Sequence, residues 1–142
     1  MARRNMRASN NFGATHTVVV FNGIRTKFDS KMEAMEALRL AQLELDGVIT
    51  DLSLQPQFEL LKSFTVLTNK TKNGKSTQGA MRYTPDFAYR QNGEVIVVEV
   101  KGFATTSYKM RRKLFLSKMK KFGVDVFIEV TAKSRTEYRL KD

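Results

Sequence analysis

The stretch from Thr84 to Gly102 reads TPDFAYRQNGEVIVVEVKG and contains two apolar-rich runs separated by Asn92-Gly93. An Asn-Gly pair between two such runs predicts a β-hairpin with a two-residue turn. Side chains on a strand alternate between the two faces, so the register of this turn places Asp86 directly opposite Glu99. Lys101 follows Glu99 on the same face. The sequence therefore predicts two facing carboxylates with a lysine beside them.

Two carboxylates opposite each other on a sheet repel unless a cation lies between them. We expect Asp86 and Glu99 to hold a divalent cation, with the Val100 carbonyl as a further candidate oxygen ligand. Such a cation assists phosphodiester hydrolysis by neutralising the phosphoryl oxygens. Lys101 is expected to orient or deprotonate the attacking water, or to stabilise charge at phosphorus. The electrostatic role is favoured because neighbouring carboxylates raise the pKa of a lysine. The competing interpretation is a surface acid pair screened by Lys101 and water.

Pro85-Asp86 followed by Glu99-Val100-Lys101 resembles the signature of the PD-(D/E)xK nuclease superfamily, which includes restriction enzymes and Holliday-junction resolvases. The wider pattern, over roughly residues 16–132, is similar to small phage-encoded members. It includes the segments FDSKME (28–33), LQPQF (54–58) and VKGF (100–103). The resemblance implies an α/β, restriction-endonuclease-like fold: a mixed central sheet flanked by helices, with an αβββαβ core. It also implies that Glu33 is a third catalytic acid and favours a homodimer acting on branched DNA.

Composition narrows the chemistry. The chain has 142 residues, which predicts one domain, and a formal net charge of +11, which favours nucleic acid as partner. It contains no cysteine and one histidine, so a metal needs oxygen ligands, and Mg²⁺ or Mn²⁺ is expected over Zn²⁺. There is no apolar run of membrane-spanning length and no apolar signal region, so we expect an intracellular, cytoplasmic protein.

Three basic segments are candidate nucleic-acid contacts. The first is a flexible N-terminal arm, residues 1–14, preceding a single nuclease domain over 15–142. The second is a polar loop or hairpin tip over 68–79, and the third is a helix from Ser107 to Phe122 in which basic residues stand without an acid. Each segment has a purely structural interpretation as a solvated terminus, loop or helix face. The candidate residues are Arg3, Arg4, Arg7, Lys70, Lys72, Lys75, Lys109, Arg111, Arg112 and Lys113.

A second Asn-Gly hairpin, over 17–28, leads into a helix predicted from Lys31 to Asp46. Ser30 is a plausible N-cap, with Glu33 three residues later as its capping-box partner. Glu33 is thus either a cap or a member of the acidic site. The buried stripes are expected to include Ala34, Leu38, Ala41 and Leu45 on this helix, and Met110 and Leu114 on the basic helix. Glu36 and Glu44 are expected to face solvent. A final strand over 124–131 precedes a polar tail.

These features favour a metal-dependent, structure-specific endodeoxyribonuclease that resolves branched DNA junctions. A nuclease acting on DNA ends, flaps or specific duplex sites has the same residues to support it. A non-catalytic DNA-binding protein would keep the basic surface and use the acids structurally. Charge alone also permits an RNA-binding role, which leaves the facing acids unexplained.

Overall fold

The structure is a computed structural model that describes residues 4–8 and 15–141. Within these residues the strands and helices follow one another in an α/β order. The elements are β1 (Arg4–Ala8), β2 (Thr15–Phe21), β3 (Ile24–Phe28), α1 (Lys31–Leu45), β4 (Thr50–Leu54), β5 (Phe58–Leu61), β6 (Phe64–Leu67), β7 (Lys75–Gln78), β8 (Met81–Tyr83), β9 (Phe87–Gln91), β10 (Glu94–Val100), α2 (Thr106–Ser117), α3 (Met119–Phe122), β11 (Val126–Val130) and β12 (Arg135–Arg139). No helix in the described part of the chain is long and apolar enough to cross a membrane.

A five-stranded mixed sheet in the order β12-β11-β10-β9-β4 forms the centre of the fold. Only its β10–β11 pair is parallel, and α2 and α3 make the crossover between those two strands. The hairpin of β9 and β10 has the predicted register, with Gln91 paired to Glu94. Asn92 and Gly93 have positive φ angles of 52° and 80°, and Asn22 and Gly23 of the β2–β3 hairpin have 48° and 82°. A two-residue type I′ turn requires positive φ at both central residues. Both Asn-Gly predictions are confirmed.

The two faces of this sheet carry separate apolar clusters, because side chains along β10 alternate. Val98 belongs to the cluster that includes α1 and the β2–β3 hairpin. Val97 belongs to the cluster that includes Phe115 of α2 and Phe127 of β11. The sheet is therefore covered by helices on both sides, as expected for a mixed α/β fold.

The predicted helix bounds are close to those observed, and the buried stripe of α1 is confirmed in part: Ala34 is buried, and Leu38 and Ala41 are partly buried against the same cluster. Ser30 caps α1 by accepting the Glu33 N–H, as predicted. The buried apolar residues of α1 include Ala37 and Leu40, whereas Leu45 is 79% exposed. The packing of α1 against β2, β3 and the sheet selects a face rotated from the one that apolar periodicity favours. Glu36, expected in solvent, is buried on that face.

The basic helix also differs from its prediction. Thr105 rather than Ser107 is its N-cap, and its hydroxyl accepts the Tyr108 N–H. Tyr108 and Phe115 are its buried residues, while Met110 and Leu114 are exposed. The helix is interrupted at Lys118 before α3. Tyrosine supplies buried ring area here that a search for aliphatic periodicity overlooks.

Both chain ends contain strands that the sequence did not predict. Residues 4–8 form β1, which pairs with β2, so this part of the expected flexible arm is strand. Arg3 and residues 9–14 lie outside the described residues. The polar tail contains β12, which pairs antiparallel with β11. Tyr138 of β12 packs on Phe127, with ring centroids 6.0 Å apart. A strand paired at a sheet edge can be polar, because the backbone ladder rather than a buried face holds it.

Candidate active site

Asp86 and Glu99 meet where β9 begins and β10 ends. The Asp86 N–H donates to the Val98 carbonyl at 3.1 Å, which extends the hairpin ladder to the position opposite Glu99. The Val100 N–H donates to Asp86 Oδ2 at 2.7 Å, so the backbone of β10 fixes the aspartate side chain. The carboxyl groups of Asp86 and Glu99 are also hydrogen-bonded to each other. The predicted facing acids are therefore in contact.

Glu33 joins these two acids from the first turn of α1. Its Oε2 accepts the Asp29 N–H at 3.1 Å, which caps the chain just before the helix. Its carboxyl group is also hydrogen-bonded to that of Asp86. The two roles considered for Glu33 thus coexist in one side chain. Capping orients the carboxyl group, and the residue lies against Asp86.

Burial and mutual repulsion shift the titration of all three acids. Burial, and then the hydrogen bond and negative charge of Asp86, raise the pKa of Glu33 to about 8. Burial and the charge of Glu99 raise the pKa of Asp86 to about 6 against the opposing hydrogen bond from Glu33. Burial raises the pKa of Glu99 as well. Burial and crowded negative charge act in the same direction on all three acids, and a bound cation would oppose that shift.

Tyr83, at the end of β8, is a member of the site that sequence reasoning missed. Its hydroxyl donates to Glu99 Oε1. Burial and the neighbouring Glu99 charge raise the pKa of Tyr83, which keeps its hydroxyl a donor. Its position three residues before Asp86 was the one available signal. The pairing of β8 with β5, which seats the ring in the second apolar cluster, follows no short-range rule.

Lys101 lies beside Glu99 on the same face, as the register predicts. Its Nζ is 3.8 Å from Glu99 Oε2 and 4.4 Å from the centroid of the Tyr108 ring. The Tyr108 hydroxyl donates to Glu129, which also accepts from Arg112 Nη1 at 2.8 Å. The ring under the ammonium group is therefore held in place by a buried polar network.

Glu33 and Asp86 line a cavity of about 90 Å³, whose other walls come from the end of β3 and the end of β4. This volume is enough for a small cation with a few water molecules. The donors are oxygens only, which suits Mg²⁺ or Mn²⁺. Within the described residues no three or more acids or histidines form a ready-made metal site. The oxygen donors and the excess of acidic groups fit a divalent cation.

The predicted nucleic-acid contacts fall into different surroundings. Lys109 and Lys113 are exposed on α2, and Lys70, Lys72 and Lys75 are exposed on the β6–β7 hairpin. Arg111 is partly buried and donates to Ser107 Oγ at 2.6 Å. Arg112 is 22% exposed, and its guanidinium group is already paired with Glu129 within the protein. The backbone of Arg4 and Arg7 lies in β1.

Comparison with known proteins places this chain in a family. It belongs to the family described as "Protein of unknown function (DUF1064)", whose model matches residues 12–135. The match spans strands β4, β9, β10 and β11 of the central sheet and both long helices, and it includes Glu33, Asp86, Glu99 and Lys101. No curated protein and no solved structure matches the chain.

Proposed function

We propose that this member of the DUF1064 family is a Mg²⁺- or Mn²⁺-dependent endodeoxyribonuclease of the PD-(D/E)xK type, with branched DNA as its substrate. The observation that carries the proposal is that half-buried Asp86 interacts with both Glu33 and Glu99, which are buried. All three acids have raised pKa values, and a lysine lies beside Glu99. Strongly shifted pKa values at a cavity are typical of functional sites. A fold has no structural need to crowd three largely buried acids around a single lysine.

The order of elements supports the proposed fold family. Taken alone, α1, β4, β9, β10, α2 and β11 run in the αβββαβ order that the resemblance implies. In the sheet the four strands are neighbours in the order β4, β9, β10, β11. The remaining strands are additions at the sheet edge or outside the sheet. The proposed site lies where β9 and β10 leave the ladder.

Asp86 and Glu99 are the proposed metal ligands, and the Val100 carbonyl is a candidate third. A bound Mg²⁺ supplies charge neutralisation at the phosphoryl oxygens and lowers the pKa of a water. Glu33, whose carboxyl group interacts with that of Asp86, orients the aspartate. Tyr83 holds Glu99 by donating to Oε1.

Lys101 is assigned the electrostatic role. Its ammonium group, held between Glu99 and the face of Tyr108, is placed to stabilise negative charge that develops on a scissile phosphate. No side chain in this arrangement needs to form a covalent intermediate. The chemistry is that of direct attack by water on phosphorus.

Exposed Lys109 and Lys113 on α2 are placed for contacts with phosphates, which would position DNA without reading its sequence. A four-way junction has two equivalent strands to cut, so a homodimer with two sites suits it. The proposal therefore includes a dimeric enzyme acting in the cytoplasm. A nuclease of ends, flaps or specific duplex sites is the alternative that the same residues support.

The test is cleavage of labelled four-way junction, flap, nicked duplex, linear duplex and single strand, with Mg²⁺ and with chelator. Asp86→Asn and Lys101→Ala are compared with wild type. Asp125→Asn is the matched control for the aspartate, because Asp125 Oδ2 accepts the Val95 N–H at 2.9 Å at the opposite end of β10. Lys133→Ala, in an exposed turn, is the control for the lysine.

We expect symmetric, metal-dependent incision of the junction that falls by a factor of about 10³ or more in Asp86→Asn, since the lost stabilisation amounts to several kcal/mol. Both controls should cut like wild type. If linear duplex or flaps are cut in preference to the junction, the proposed substrate is wrong and the proposed active site stands. Tight DNA binding with no metal-dependent cutting of any substrate would overturn the enzyme and leave a DNA-binding protein.

A further inference from the structure

Strands β5 to β8 form a two-part ribbon whose halves have opposite surroundings. The inner half pairs β5 with β8, and its Leu60 and Tyr83 are buried in the second apolar cluster. The outer half pairs β6 with β7. We call the outer half, residues 64–78, the outer hairpin. None of its residues belongs to either buried cluster of the described chain.

The outer hairpin carries apolar side chains in solvent. Phe64 is 46% exposed, Val66 42% and Leu67 83%. Phe64 and Val66 share one face, and Leu67 lies on the other beside Lys75, its partner in the ladder. A two-stranded hairpin alone is marginally stable in water, and large apolar side chains exposed on one are a liability unless a partner covers them.

Charge identifies the kind of partner. Between Glu59 and Asp86 the sequence has five basic residues and no acidic residue. The basic residues are Lys62, Lys70, Lys72, Lys75 and Arg82. Lys70 and Lys72 lie in the tip between the two strands, where both are exposed. A basic tip with apolar side chains behind it is complementary to a polyanion that also offers apolar faces, which describes nucleic acid with unstacked bases.

The connection of the outer hairpin to the candidate active site favours the same partner. Its second strand continues through Gly79 and Ala80 into β8, which ends at Tyr83, the residue hydrogen-bonded to Glu99. Asp86 follows three residues later. The base of the outer hairpin at Gln78 is therefore five residues along the chain from Tyr83, a separation that an extended ligand such as DNA can span.

We propose that the outer hairpin is the element that selects branched DNA over intact duplex, by placing Phe64 and Val66, which share one face, against unstacked bases at the branch point while its lysines hold the adjoining phosphates. This inference rests on the proposed function. Bases in continuous duplex are stacked on both faces, and exposing them costs a few kcal/mol per step. At a branch point some bases are already unstacked, so part of this free-energy cost does not arise. Apolar contact is therefore gained chiefly on branched DNA, whereas lysine–phosphate contact is gained on any DNA.

The experiment measures binding of full-length protein in chelator to a four-way junction and to linear duplex of the same sequence. Both carry 2-aminopurine, whose fluorescence rises on unstacking, at the branch point or its duplex equivalent. Phe64→Ser and Val66→Ser are tested singly and together. Leu45→Ser is the matched control, because Leu45 on α1 is 79% exposed and remote from the hairpin in sequence.

We expect the double variant to bind the junction about tenfold more weakly and to lose the fluorescence rise, with duplex binding changed less than about twofold. Leu45→Ser should behave like wild type. Circular dichroism should show both variants folded, since neither side chain is buried. Lys70→Gln with Lys72→Gln should weaken junction and duplex equally and reduce the salt dependence of both.

The inference is overturned if the double variant binds the junction as Leu45→Ser does, or weakens both DNAs equally. It is also overturned if the variant's defect is loss of a dimer in sedimentation, or loss of binding to vesicles of anionic phospholipid. Metal-dependent cleavage that persists in any of these cases leaves the proposed function standing. Absence of both cleavage and DNA binding in the wild-type protein would remove both proposals.

Discussion

Two glutamates one turn apart on α1 are buried to nearly the same extent, yet one has cationic neighbours and the other has an acidic neighbour. Glu33 is 9% exposed and Glu36 is 6% exposed. Glu36 Oε2 lies 2.8 Å from Arg39 Nη2 and 2.8 Å from Arg135 Nη2. Burial raises the pKa of Glu36, but these hydrogen bonds outweigh it and the pKa is lowered. Glu33 has Asp86 as its side-chain neighbour, and its pKa rises to about 8.

A buried carboxylate with cationic partners and one without them differ in what they contribute to the stability of the fold. A glutamate that stabilises the fold is matched by arginines, because an unmatched buried charge is costly. The Glu33, Asp86 and Glu99 cluster is left with an excess of acid, and the described residues add one ammonium group, that of Lys101 at 3.8 Å from Glu99. This excess of acid is the feature on which the proposed cation site rests.

Removing Arg39 and Arg135 should leave Glu36 as a buried carboxylate without a cationic partner, as Glu33 is beside Asp86. We expect Arg39→Ala with Arg135→Ala to lower the free energy of unfolding by about 3 kcal/mol, because a buried carboxylate loses its partners. Urea denaturation measures the effect. Adding Glu36→Gln to the double variant should recover much of the loss. Without that recovery, the loss would come from packing of the arginine side chains instead.

A bound cation should balance the charge of Glu33, Asp86 and Glu99, as the two arginines balance that of Glu36. Mg²⁺ at about 100 times its dissociation constant should stabilise the wild-type protein by about 2.7 kcal/mol, and chelator should reverse the effect. Thermal unfolding with and without Mg²⁺ measures it. Asp86→Asn should abolish the shift, and Asp125→Asn should keep it. An equal shift in both variants would place the cation elsewhere.

Neutralising each glutamate should have effects of opposite sign. In metal-free protein at pH 8, Glu33→Gln should raise the free energy of unfolding by about 1–2 kcal/mol, because repulsion by Asp86 is relieved. Glu36→Gln should lower it by about 1–2 kcal/mol, because charge-assisted hydrogen bonds are weakened. Chemical denaturation of the two variants side by side gives the comparison. Destabilisation by Glu33→Gln would show that its capping bond outweighs the repulsion.

The smallest expected effect is the pH dependence of the Glu36 network. The pKa of Glu36 is lowered in the folded protein, so its contribution is complete above the unfolded pKa near 4.5 and is lost as pH falls through the folded pKa. Wild type should therefore lose more stability than Glu36→Gln between pH 5 and pH 3. Denaturation midpoints across this range measure the difference. Parallel curves for the two proteins would mean that Glu36 titrates normally.

Local rules predicted the hairpins and the ends of α1. The contact of Asp86 with Glu99 followed from Asn92-Gly93 alone, since a two-residue turn fixes every later pair in the ladder. The Ser30 cap followed from the side chain that begins the helix. Periodicity predicted the burial of Ala34 correctly but also placed the exposed residues Leu45, Met110 and Leu114 in the core, because the neighbours that bury a helix face lie far away in sequence. Polar β12 carried no apolar signal at all.

The sequence by itself determined the β9–β10 register, the acids and lysine on one face of it, and the excess of positive charge. These depend on chemistry within a few residues of the chain. Tertiary structure alone decided that Glu33 contacts Asp86, that Tyr83 holds Glu99, and that Glu36 is matched by Arg135, 99 positions away. The reason is physical: a buried charge is stable or reactive according to the groups packed around it, and folding brings those groups from distant parts of the chain.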